Sequence, residues 1–186
     1  MHMQLKNIYK DGRKFEKNVC ELYEEAFPES EKKPWTVMEE LVKQNKMEIL
    51  AIEKEDEFIG LAINLIDGET ALLDYFAIDP EKRNCGYGGD CIRTLLEKFR
   101  DKKYIFEIEM QDENAENAED RKRRKAFYLR NGLKETGLFA NVYQVDFEML
   151  TPDGSLSYEQ YTGFLERVLG KEYLRFLDPV LIQQRG

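Results

Sequence analysis

The stretch Arg83-Asn84-Cys85-Gly86-Tyr87-Gly88-Gly89 limits what this chain can fold into more than any other. Before it, Ala71–Ile78 reads as a strand. After it, Ile92, Leu95, Leu96 and Phe99 recur at i, i+3, i+4 and i+7, the apolar stripe of an amphipathic helix. The glycines therefore sit in a strand-to-helix turn. A helix N-terminus carries N–H groups without intrahelical partners and a partial positive charge, so it receives anions. Glycine removes the Cβ atoms that would hold a phosphate at a distance. The turn reads as a phosphate or pyrophosphate site.

Three glycine-rich loops compete for that reading. A P-loop ends in Gly-Lys-Ser/Thr, but Gly88 is followed by Gly89-Asp90. A dinucleotide fingerprint needs a further glycine where Cys91 stands. The pattern left is Arg-x-x-Gly-x-Gly, met by Arg83, Gly86 and Gly88. It resembles the acyl-CoA pyrophosphate loop of the GNAT superfamily of N-acetyltransferases. Ile78-Asp79-Pro80-Glu81-Lys82-Arg83 is similar to the family's approach to that loop. A second signature follows one strand and one helix later, in Ala126-Phe127-Tyr128-Leu129-Arg130-Asn131-Gly132-Leu133. The resemblance covers Met47–Leu150 well and the N-terminal segment loosely.

Composition narrows the alternatives. The chain has 186 residues, 42% of them hydrophobic, enough for one cored domain with or without an extension. No apolar run is long enough to span a membrane, and the first residues lack the apolar centre of a signal peptide. The three cysteines, Cys20, Cys85 and Cys91, have no metal spacing and suggest reduced thiols in a cytoplasm. The one histidine, His2, is expected at a frayed terminus, which removes most histidine-based catalysis and metal binding. A net charge of −9 argues against nucleic acid and leans towards cationic partners.

In chain order, Met3–Tyr9 reads as a strand and Phe15–Phe27 as a helix. A charged loop, Glu29–Pro34, leads to a helix near Thr36–Gln44 with Thr36 as N-cap. Met47–Glu53 and Glu57–Ile66 are strands joined at Lys54-Glu55-Asp56. Tyr104–Met110 alternates as a strand, with Glu107 and Glu109 on one face. Arg121–Arg130 is a basic helix closed by Asn131-Gly132. Leu133–Gly137 and Asn141–Leu150 read as a closing hairpin. Beyond Thr151-Pro152-Asp153-Gly154, Tyr158–Leu169 is helical and Lys171–Arg185 reads as another short helix.

The resemblance implies an α/β fold with a mixed, mostly antiparallel central sheet flanked by helices. It places a GNAT-like domain at 1–150 and a helical C-terminal extension, 151–186, packed on it. It implies acetyl-CoA as cofactor. The N–H groups of Phe76 and Ile78, with Ala77 between them, would face the pantetheine and the thioester carbonyl. Those of Asn84, Cys85, Gly86, Tyr87, Gly88 and Gly89 would hold the pyrophosphate, with Arg83 adding charge. Asp90 is expected to cap the following helix. Tyr128 matches the tyrosine that protonates the departing thiolate; a phenol with pKa about 10 is neutral at pH 7. Arg121 stands where the family often has a cofactor-contacting asparagine, and Arg124 is a further candidate contact. The general base is Asp74 or Glu109, with Glu107 a rival. Tyr23, Phe27 and Trp35 would wall the acceptor pocket or else be core aromatics. Cys85 and Cys91 read as structural, and no metal is expected.

The function so implied is direct acetyl transfer to a primary amine in a ternary complex, by a cytoplasmic monomer or homodimer acting on a small molecule and contacting neither nucleic acid nor membrane. The rival readings are a non-catalytic acyl-CoA sensor, a protein N-terminal or lysine acetyltransferase, and a plain nucleotide-binding domain.

Overall fold

The computed structural model describes residues 3–182; His2, and the end of the helix expected to reach Arg185, lie outside them. The chain divides into two compact units. One holds residues 1–66 and 73–100, the other 67–72 and 101–186.

The first unit contains β1 (Gln4–Asn7), α1 (Glu16–Ala26), α2 (Trp35–Lys43), β2 (Met47–Lys54), β3 (Glu57–Ile66), most of β4 (Thr70–Ile78) and α3 (Tyr87–Lys98). Its strands follow the order β1-β2-β3-β4, and β1, β2 and β3 pair antiparallel. The β2–β3 turn falls at Glu55-Asp56, both at positive φ (54° and 67°), as a tight hairpin requires. Strands β2 and β3 are buried along nearly their whole length, with Ile49, Ile52, Leu61 and Ile63 at 0% exposure. Two-sided burial is what their near-continuous apolar runs call for. The stripe of α1 buries Val19, Leu22 and Tyr23, and that of α3 buries Cys91, Ile92 and Leu95.

Gly60 on β3 sets how closely the end of β4 approaches. A Cβ there would lie 2.3 Å from the Ala77 carbonyl oxygen and 3.1 Å from Ile78 Cα. Asp79 N–H donates to the Ile59 carbonyl at 2.9 Å, closing the same junction. The last residues before the glycine turn are thereby fixed to a neighbouring strand.

The second unit contains β5 (Lys103–Glu109), α4 (Ala118–Arg130), β6 (Lys134–Val142), β7 (Val145–Thr151), α5 (Tyr158–Leu169), α6 (Lys171–Leu177) and β8 (Val180–Leu181). Its strand order is β5-β7-β6-β8, with every one of those pairs antiparallel. The fold class is the expected one: α/β, with a mostly antiparallel sheet, flanking helices and helices at the C-terminal end. A capping box joins Ser157 and Gln160 at the start of α5, which buries Tyr161, Phe164, Leu165 and Val168.

Several local expectations are corrected. Helix α2 begins at Trp35 with Pro34 as its N-cap, so Thr36 lies inside the first turn. Helix α3 is capped by Gly86 at φ 79°, and Asp90 instead pairs with Arg93. The expected break around 138–140 does not exist. Strand β6 runs through it, and Gly137 (φ 74°) marks a register shift between Glu135 and Phe139. The hairpin turn is Tyr143-Gln144, at φ 49° and 66°. The glycine signals a bulge, and the real turn carries no glycine. Finally, α6 stops at Leu177, where Asp178 adopts φ 42° and Pro179 cannot continue the helix.

Candidate active site

In the first unit, β4 ends at Ile78 and a short 3-10 turn, Pro80–Lys82, follows. Asp79 opens that turn by accepting the Glu81 N–H at 2.9 Å. Arg83 folds back, its Nε donating to the Ile78 carbonyl at 3.1 Å. Asn84 (φ 61°) and Gly86 (φ 79°) then reverse the backbone so that α3 starts at Tyr87. Among the described residues, no carbonyl or side chain accepts from the N–H groups of Asn84 to Gly89. Arg83 to Gly86 are exposed, and Tyr87 to Gly89 half-buried. A Cβ added at Gly86 would meet nothing within 4 Å. The turn is an open cradle of consecutive donors with the positive end of a helix behind it, and it fits a diphosphate. Lys54 adds charge beside it, its Nζ 5.0 Å from the Tyr87 ring centroid.

Upstream on β4, Asp74, Phe76 and Ile78 share one half-buried face while Tyr75 and Ala77 are buried. Asp74 accepts from Lys33 Nζ with both oxygens, at 2.9 and 2.8 Å. Tyr75 packs edge-on to Tyr23 (5.0 Å) and to Phe27 (4.9 Å), and Tyr23 lies 5.8 Å from Trp35. The hydroxyls of Tyr23 and Tyr75 both accept the Lys33 N–H, at 2.8 and 3.0 Å. Tyr23 donates to the Lys33 carbonyl, and Tyr75 to the Glu31 carbonyl. Tyr23 is therefore a buried clamp on the α1–α2 loop, its phenol pushed up by burial. Phe27 and Trp35 keep part of their rings exposed.

In the second unit, Tyr128 lies near the end of α4 against Phe127 (5.3 Å) and Phe106 of β5 (5.4 Å). Its hydroxyl has no hydrogen-bond partner among the described residues. Burial raises the phenol to about 12, with Arg124 opposing. The group stays protonated at neutral pH and is able to donate.

The carboxylates of β5 are both engaged. Glu107 accepts from the Tyr161 hydroxyl of α5. Glu109 accepts from Asn117 (3.2 and 3.3 Å) and Arg124 (2.9 Å) and forms an ion pair with Arg121 (3.1 Å). Arg121 also donates to the Met110 carbonyl at 2.8 Å. It ties the loop before α4 to the end of β5, and Asn117 and Arg121 themselves are joined at 2.7 Å. Arg124 also lines a shallow cavity of about 310 Å³ with Asp120, Arg123, Phe127 and Arg130.

Cys85 is exposed, and Cys91 is buried with its thiol pushed up to about 12. No metal-binding cluster exists among the described residues, and no helix among them is long and apolar enough to cross a membrane. Sequence reading passed over Lys33 and Tyr75. Lys33 looked like one more charge in a solvated loop, and only the fold brings it to Asp74.

The model of the acetyltransferase (GNAT) family matches residues 16–132. The chain belongs to that family. No curated protein matches the sequence. A protein from Bacteroides thetaiotaomicron described as a GNAT-family acetyltransferase superposes with TM-score 0.70 at 23% identity, over 92% of this chain and 99% of that one. The dodecameric spermidine N-acetyltransferase of Vibrio cholerae gives TM-score 0.60 at 13% identity, over 86% and 96%. An aminoglycoside 6'-N-acetyltransferase complexed with coenzyme A gives 0.59 at 14%, over 80% and 95%. At such identities the likeness establishes the GNAT fold alone.

Proposed function

We propose that this GNAT chain transfers an acetyl group from acetyl-CoA to a primary amine on a small cationic molecule. The observation that carries the reading is the run of N–H groups from Asn84 to Gly89, unpaired among the described residues, at the start of α3. These amides and Arg83 hold the pyrophosphate, while Phe76, Ala77 and Ile78 run beside the pantetheine arm. The cofactor supplies an activated thioester. Asp74, on the same strand face as Phe76 and Ile78, takes the proton of the acceptor ammonium. Glu109 is the weaker candidate base, because Asn117 and two guanidinium groups hold it at once, whereas a single ammonium holds Asp74. It serves as the anchor that positions Arg121 and Arg124. Tyr128 protonates the leaving thiolate, for which its raised pKa and open hydroxyl suit it.

A cationic acceptor is favoured by the Asp74 carboxylate beside an aromatic cluster, by the net charge of −9, and by relatives that act on spermidine and aminoglycosides. The catalytic domain spans 1–150, with 151–186 as an addition to it. Three free cysteines suit a reducing cytoplasm.

Calorimetry with coenzyme A, followed by thiol release from acetyl-CoA across a panel of polyamines, aminoglycosides and amino-acid amides, tests the reading. Heat with coenzyme A plus turnover of at least one amine supports it. Binding without turnover across the panel supports an acyl-CoA sensor, and absence of binding removes the proposal.

A further inference from the structure

The acceptor side of the first unit already holds a primary ammonium, and it belongs to the chain. Lys33 Nζ sits 2.9 and 2.8 Å from the two oxygens of Asp74 and 5.2 Å from the centroid of the Tyr75 ring. A carboxylate and an aromatic face are the two groups that select an organic cation. The side chains of Lys33 and Asp74 are 14% and 12% exposed, so the pair is shielded from competition by water. The backbone of Lys33 is fixed as well, since the Tyr23 and Tyr75 hydroxyls both accept its N–H. Contacts to both its backbone and its ammonium thus hold one lysine in place.

The neighbouring residue shows what an ordinary loop lysine does. Lys32 pairs with Glu24 and Glu29, one on α1 and the other three residues back in its own loop, and reaches no residue of β4. Lys33, in contrast, is drawn to the strand that leads into the glycine cradle. Asp74 precedes Phe76 by two residues on one strand face, about 7 Å along a strand rising about 3.3 Å per residue. An amine on Asp74 is therefore held a short reach from the stretch proposed to flank the thioester.

We infer that Lys33 is an internal acceptor: in the absence of an external amine it takes the acetyl group itself. The inference rests on the acetyl-transfer reading above. Asp74 accepts one proton from the Lys33 ammonium and passes it to solvent. The freed Nζ lone pair attacks the thioester carbonyl carbon, and the N–C bond forms as the C–S bond breaks. The thiolate leaves as the thiol, taking up the second proton that nitrogen gives up. The products are acetylated Lys33, coenzyme A thiol and one proton. Acetylation removes the ammonium charge, dissolves the pair with Asp74 and opens that carboxylate to an external cation.

The test incubates the full chain with acetyl-CoA and no amine, then follows intact mass and maps labelled peptides. Lys33 should be acetylated at least about tenfold faster than Lys32, since a positioned amine reacts at high effective molarity. The preference should vanish in urea-unfolded protein, and spermidine should slow it. Lys33→Arg keeps a cation on Asp74 but offers no acylatable amine, so the rapid label should be lost. Equal labelling of Lys32 and Lys33, or rapid labelling that survives in Lys33→Arg, overturns the inference. Turnover of external amines is measured in the same preparation. If amines are acetylated while Lys33 stays unlabelled, only the internal-acceptor role falls. If coenzyme A gives neither heat nor turnover, the transferase reading falls and takes this one with it.

Discussion

The Lys125 ammonium on α4 donates to both carboxylate oxygens of Glu148 on β7 at 2.9 Å, and Glu148 keeps 1% of its surface exposed. Burial pushes the Glu148 carboxyl up, and Lys125 opposes that rise. Burial by itself pulls Lys125 down, but its hydrogen bonds to Glu135 and Glu148 outweigh this and its net shift is upward. The helix carrying Tyr128 is thus anchored to a strand through a buried charge.

Removing only the lysine strands that charge. Lys125→Met should cost about 3–5 kcal/mol, the usual penalty for breaking a buried pair from one side. Lys125→Met combined with Glu148→Leu should recover most of the loss, because the buried carboxylate goes with its partner and only the solvent-exposed Glu135 loses Lys125. Urea unfolding of the two variants checks the ordering. The pH dependence follows from the raised lysine. Its stabilising contribution is complete below the unfolded lysine value of about 10.4 and disappears as pH rises through the higher folded value.

Tyr128→Phe removes one oxygen and leaves the contacts with Phe106 and Phe127. Turnover should fall by about 10²–10⁴, the range for a lost general acid, while calorimetry with coenzyme A changes little. The folded phenol titrates at about 12, above the unfolded value of about 10. Its protonated form is favoured by folding. The stability it contributes is therefore whole below about pH 10 and lost as pH climbs through about 12. Any alkaline decline in turnover that Tyr128 causes should be missing in the variant.

Much of this was legible in the sequence because it rests on local pattern. The stripe Ile92, Leu95, Leu96 and Phe99 after a glycine turn gives α3, and the turn gives the donor cradle. Where the reading failed, one residue type served two purposes. Gly137 looked like a turn and proved to be a bulge, while Tyr143-Gln144, with no turn signature, makes the reversal. Asp90 looked like a cap, but the αL conformation of Gly86 moved the helix start upstream. The Lys33–Asp74 pair was invisible because its partners lie 41 residues apart and only tertiary structure joins them.

Two glycines near the cradle should respond differently to alanine. Gly60→Ala drives a Cβ to 2.3 Å from a backbone oxygen of Ala77, which cannot swing aside. The end of β4 must move, costing about 1–3 kcal/mol as overpacking does and weakening coenzyme A binding by displacing Phe76–Ile78. Gly86→Ala meets no atom but must hold φ 79°, costing roughly 1–2 kcal/mol. Its effect should fall on coenzyme A affinity, since the helix start it caps is where the diphosphate is proposed to lie. Paired unfolding and calorimetric measurements separate the two cases.

The two candidate bases are told apart by how each is held. Asp74 faces one cation, which an incoming amine can replace. Glu109 is locked by Asn117, Arg121 and Arg124, and the first two also fix the loop leading into α4. Glu109→Gln should therefore act on structure: about 1.5–3 kcal/mol lost with the charged hydrogen bonds, and a modest change in turnover that tracks the loosening of α4. Asp74→Asn should act on chemistry beyond the stability lost with the Lys33 pair. It keeps the shape of the side chain and removes its basicity, so turnover should fall by about 10²–10⁴. Turnover of both variants, set beside their unfolding free energies, decides between them. A fall of that size in Glu109→Gln, with turnover kept in Asp74→Asn, would move the base to β5.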